Sequence, residues 1–216
     1  MDFTLGLYRF SGWSQDVIWL LICWMMLKKG GYWTGHKMFF LLYALSTAFF
    51  EIVYAITAIT LSNNLFLDYW FIALEFVVLS FYLRGVIKLK WINVTVYILC
   101  LAFVGFSVYN SFLGQGFNNY NSYGTLINSL YLTFLSGLGL FMLAKRYINK
   151  RLFSLTESWL VLGVFLIYSS IIIFDYIYAL SVPYKNDTIL YAVLIVQNFI
   201  KSFFLIFYIK GIMLIK

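Results

Sequence analysis

The stretch 197–211, QNFIKSFFLIFYIKG, is apolar almost throughout and carries Lys201 in its middle. A charge at the centre of a bilayer-spanning helix costs roughly 2.5–3.5 kcal/mol on insertion scales, so such a lysine needs a partner, a water-filled cavity or a function. Whether this stretch is a membrane helix is decided by the chain around it. Of 216 residues, 63% are hydrophobic and 11% are charged. A soluble domain carries about 25% charged residues. This chain has too little charge to cover a water-facing surface, and it reads as an integral membrane protein. One proline and long apolar runs point to helices. A membrane barrel shows instead strands of about ten residues with alternating polarity.

Apolar runs fall at about 13–28, 37–61, 66–88, 91–113, 122–145, 157–182 and 187–213. Each is of the length that a hydrocarbon core of about 30 Å demands. The expected fold is all-α: one polytopic domain over 1–216, with seven transmembrane helices joined by short loops. The opening MDFTLGLYRFSGWSQD has no basic region, and no small-residue cleavage site follows the first run. That run is expected to stay as the first helix.

Lysine and arginine set the orientation. Lys28, Lys29 and Lys37 flank the first connection, Arg84, Lys88 and Lys90 the third, and Lys145, Arg146, Lys150 and Arg151 the fifth, with Lys210 and Lys216 at the far end. The opposite side shows Arg9 and Lys185. The amino end is expected outside and the carboxyl end in the cytoplasm. The net charge of +7 follows these loops and is no nucleic-acid signal. Trp13, Trp33, Trp70, Trp91 and Trp159 lie near segment ends and read as an interfacial belt. Cys23 and Cys100 sit inside apolar runs and read as small hydrophobes.

Two pairs of stretches look alike. FEIVYAI (50–56) resembles FDYIYAL (174–180), and LSFYLRGVI (79–87) resembles LIFYIKGIM (205–213). The pattern suggests a 3+1+3 parallel repeat, 13–88 and 122–213, with 91–113 as the linker helix.

Within this frame four ionisable side chains are singled out in the membrane segments: Glu51, Glu75, Asp175 and Lys201, all at middle or outer depth. Gln197 shares a helix face with Lys201 at i−4, and Asn198 comes near it at i−3. Asn128, Tyr131 and Thr133, Tyr168, Ser169 and Ser170, and Tyr43, Ser46, Thr47 and Tyr54 extend the polar patch. Two readings compete: a buried ion pair that fixes packing, and a pocket for a small polar or cationic molecule or a proton. Four ionisable groups exceed what packing needs. His36, the single histidine, stands in a basic loop, so a histidine-based metal site or Ser-His-Asp triad is not expected. No phosphate-binding glycine loop appears. The sequons at 93–95 and 186–188 carry no argument.

AFFEIVYAIT, LEFVVLSFYL, NNYNSYGTLINSLYL and WLVLGVFLIYSSIIIF resemble a group of uncharacterised seven-helix inner-membrane proteins from Bacteroidetes-type bacteria. The likeness implies a multi-pass protein of the bacterial inner membrane with a periplasmic amino terminus. It also implies a receptor-like, sensor or accessory role beside a membrane or kinase partner. The architecture is similar, more distantly, to SWEET transporters and microbial opsins. The first likeness implies a small-solute or proton-coupled transporter, with Glu75 and Lys201 as the switching pair. The second implies retinal on Lys201. Departures stand against both. Pro183 is the single proline, where SWEET proteins carry one in their first helix, and Gln197 replaces the aspartate that precedes an opsin lysine. The leading expectation is therefore a receptor-like protein that binds a small polar ligand, with no catalytic role, no cofactor and no nucleic acid.

Overall fold

The computed structural model describes the chain except residues 1, 61–63, 118, 149–151, 182–186 and 216. Lys150, Arg151, Pro183, Lys185, Asn186 and Lys216, named above, lie outside the described residues. Seven long helices follow in order: α1 (Asp2–Lys28), α2 (Lys37–Thr60), α3 (Phe66–Ile87), α4 (Lys90–Phe112), α5 (Ser122–Arg146), α6 (Thr156–Ser181) and α7 (Asp187–Met213). All seven contain a stretch long and apolar enough to cross a bilayer. The protein is a multi-pass, all-helical membrane protein.

Helices α2 to α7 begin and end within one residue of the apolar runs. α1 differs, starting at Asp2 rather than near residue 13. Its early turns are held by tertiary contacts that composition does not announce. Tyr8 packs on Tyr191 of α7 with ring centroids 5.5 Å apart. Ser11 is fully buried and accepts a hydrogen bond from Asn198 Nδ2 at 3.2 Å.

The helices form a ring. α1 packs on α2, α2 on α3, α3 on α5, α5 on α6, α6 on α7, and α7 closes back on α1. α4 stands outside and packs chiefly on α3. α3 therefore has neighbours on three sides, and 61% of its span is buried against 28–39% for the other helices.

The two ends of the ring differ in charge. At the basic end, cations close backbone. Arg146 Nη2 donates to Val86 O and Ile87 O, at 2.9 and 2.8 Å, and so satisfies the last carbonyls of α3. α3 itself ends on Lys88 in the left-handed region, at φ 58°. Lys29 Nζ donates to Ile215 O at 2.6 Å. His36 Nε2 lies 3.2 Å from Glu157 Oε1 and ties the α1–α2 connection to the start of α6. Its ring passes so close to Gly85 that any Cβ there would lie 2.1 Å from His36 Cβ. Trp33, expected in the interfacial belt, is instead 3% exposed and donates its indole N–H to Met26 O at 2.7 Å. Trp13, Trp70 and Trp91 are exposed as a belt requires.

Above this end the core is a layer of rings. Phe40 packs on Tyr82 at 5.0 Å, on Tyr208 at 5.1 Å and on Tyr43 at 5.7 Å. Trp19 meets Tyr43 at 5.4 Å. All five side chains are buried. Gly163 makes the layer possible: a Cβ there would lie 2.4 Å from the Tyr208 ring.

Candidate functional site

A cavity of about 210 Å³ lies on the other side of the aromatic layer, inside the ring. Each ring helix gives it one stripe at helical spacing, and α4 gives it nothing. α2 contributes Tyr43, Thr47 and Glu51, each four residues from the last. α3 contributes Asp68, Phe71, Ile72 and Glu75, and α7 contributes Gln197, Lys201 and Leu205. Gln15 and Trp19 come from α1, Tyr168, Ile171 and Asp175 from α6, and Thr125, Asn128 and Ser129 from α5. α5 is started by Asn121, whose side chain accepts from Gly124 N at 3.1 Å as an N-cap. That cap fixes where Thr125 and Asn128 face.

Five of the six residues expected at a site converge here: Glu51, Glu75, Asp175, Gln197 and Lys201. Asn198 does not line the cavity and spends its amide on Ser11 of α1. Two further acids were not anticipated. Asp68 lines the cavity, and its carboxylate accepts a short hydrogen bond from the Tyr54 hydroxyl. Asp16 shares a second groove with Glu51, on the outer face of α1 and α2. The signal for Asp68 was present, since it precedes Glu75 by seven residues and so shares its helix face. Its place in the first turn of α3 disguised it, because acids at helix starts need no special explanation.

The cavity walls are unequal in sign. Four carboxyls face one ammonium, Lys201. Among the described residues, no carboxylate oxygen comes within 4.0 Å of the Lys201 Nζ. Its strongest electrostatic neighbour is Asp175, followed by Glu51, Glu75 and Asp68. Lys201 thus faces its acids across open space rather than in a closed pair. Glu75 is 8% exposed and accepts a hydrogen bond from Asn128 Nδ2 at 2.7 Å. Four polar atoms of the wall have no hydrogen-bond partner among the described residues: Asn128 Oδ1, Ser129 Oγ, Tyr168 Oη and Asp175 Oδ2. Buried polar atoms are ordinarily satisfied, so these are open to water or to a ligand. Trp19, Tyr43 and Tyr168 add ring faces, which attract cations.

Among the described residues, no cluster of three His, Cys, Asp or Glu side chains is placed to hold a metal ion. Both cysteines are free and buried. The chain matches no family model, no curated protein and no solved structure.

Proposed function

We propose that this is a receptor-like protein of a bacterial inner membrane, which binds a small, positively charged polar solute in the ring cavity and passes the event to a separate partner chain. One observation carries the reading: a lysine with no carboxylate in salt-bridge range among the described residues stands among four carboxyls around a cavity of about 210 Å³. A packing device would close that pair, because an unpaired buried charge is costly. The open arrangement attracts a cation, and the unsatisfied Asn128 and Ser129 oxygens can accept its N–H groups. The layer of Trp19, Phe40, Tyr43, Tyr82 and Tyr208 supports a receptor over a channel, since it closes the cavity towards the basic end. By the positive-inside bias that end faces the cytoplasm and the cavity faces outward.

The test is purification in gentle detergent with mass spectrometry of everything that accompanies the protein. A stoichiometric membrane or kinase partner, together with a bound amine, is the expected result. A protein that emerges alone and moves a solute across liposome membranes overturns the receptor reading in favour of a transporter.

The transporter reading has its own support. In a 3+1+3 repeat, α1, α2 and α3 correspond to α5, α6 and α7. The contact of α1 with α7 then corresponds to that of α5 with α3, and both are made. Solute flux lost in Glu75→Gln is its signature. Retinal on Lys201 is the weakest reading, because four carboxyls share the cavity with that lysine where a polyene needs none but a counterion.

A further inference from the structure

The cavity has a neighbour on the outer surface of the ring. Between α1 and α2 runs a groove of about 230 Å³, lined by Asp16, Leu20, Ala48, Ile52, Ala55 and Ile56. Glu51 lines this groove and the central cavity alike. This side chain belongs to the walls of both the interior and the outer groove. Leu20, Ile52 and Ile56 are 50%, 50% and 55% exposed. In a bilayer these surfaces face acyl chains, not water. Ala48 and Ala55 keep the groove open by being small. Apart from Asp16 and Glu51 the groove is apolar, and both carboxyls line it. An arriving ammonium can bridge the two.

We propose that the solute is an amphiphilic primary ammonium ion, which enters sideways from the bilayer between α1 and α2 and leaves its aliphatic tail in the groove. The proposal rests on the reading of the cavity as a cation site and names its ligand class. A water-soluble cation has no use for an apolar groove, and a neutral lipid has no use for its acid pair. The charge of the groove and the Glu51 wall that it shares with the cavity together call for one molecule with both parts. A primary ammonium has three N–H donors. Beyond Glu51 it meets acceptors in the number required: the Glu75 carboxylate, Asn128 Oδ1 and the fully buried Ser129 Oγ, the last two without partners among the described residues. Lys201 stands on the far wall and repels the ammonium, which holds the cation at the α2–α3–α5 side.

The experiment compares ethyl-, butyl- and octylammonium on the full chain in lipid nanodiscs, read by the fluorescence of Trp19 and its fellows. The groove is blocked in Ala55→Trp, where the added ring lies on an exposed face and needs no core volume. Ile56→Trp is a second block in case the first disturbs folding. The quantity read is the gain in affinity from ethyl to octyl. Partition into the bilayer is common to all proteins and cancels. The gain should be about tenfold larger in the wild type than in the blocked variants, a difference of about 1.4 kcal/mol. An equal gain in both overturns lateral entry while leaving the cation cavity standing, provided ethylammonium binds the wild type and not Glu75→Gln. If no ammonium ion binds at any length, the cation reading and this proposal fall together.

Discussion

The two halves of the ring treat charge in opposite ways. At the basic end polar side chains close structural gaps: Arg146 caps α3, Lys29 holds Ile215 O, and His36 meets Glu157. In the cavity half, among the described residues, Lys201 closes no ion pair with the four acids around it. The aromatic layer separates the two regimes. Charge that is consumed by backbone or by a direct partner belongs to the fold. Charge held apart across a cavity is available to a ligand. Substitutions should therefore split cleanly, with stability lost on one side of the layer and binding on the other.

The largest effect is expected in the layer itself. Gly163→Val forces a side chain into the Tyr208 ring, and overpacking of this kind costs roughly 1–3 kcal/mol or more. Thermal unfolding in detergent should show it as lost stability in the absence of any ligand. Lys201→Met comes next. Removing one member of a closed buried pair costs about 3–5 kcal/mol. Lys201 is in no closed pair, so its loss should cost less, about 1–3 kcal/mol. Lys201→Met combined with Glu75→Gln should recover part of this, since one acid is gone and the glutamine can still accept from Asn128. A double variant no more stable than the single sinks the idea that Lys201 balances these acids. Asp68→Asn is expected to leave stability within about 1 kcal/mol, because the Tyr54 contact survives as a neutral hydrogen bond. It should weaken cation binding several-fold in a titration. The smallest effect on binding belongs to Asn198→Ala. The loss of one hydrogen bond to Ser11 should cost about 0.5–1.5 kcal/mol and leave affinity unchanged. Altered affinity there would show that the site boundary is drawn in the wrong place.

These contrasts also show what the sequence could tell. Helix number and limits were legible because a bilayer demands long apolar runs, and α2 to α7 follow those runs to within a residue. The start of α1 was not, because Ser11 and Tyr8 owe their helical setting to α7, far away in sequence. Glu51, Glu75, Asp175, Gln197 and Lys201 stood out as polar groups in apolar surroundings, and the fold brings them together. Asp68 and Asp16 escaped notice, the first as an ordinary helix-start acid and the second beside a serine and a glutamine that blur the apolar run. Asn198 and Lys201 are three residues apart and could share a face. Only the placement of α1 beside α7 shows that Asn198 looks elsewhere. The order of helices around the ring, and the exclusion of α4 from it, were beyond reach, since every segment is apolar on most sides.

The closure of the ring by α7 against α1 has a consequence for biosynthesis. Ribosomes deliver the chain in order, so Asp16, Glu51, Asp68, Glu75 and Asp175 all reach the membrane before Lys201. Until then the half-made protein is an open crescent, with acids along its concave edge and no lysine opposite them. Arrival of α7 both closes the ring and brings in the opposing lysine. A nascent chain stalled before residue 197 should therefore be a preferred target of membrane quality control, and one stalled after residue 213 should not.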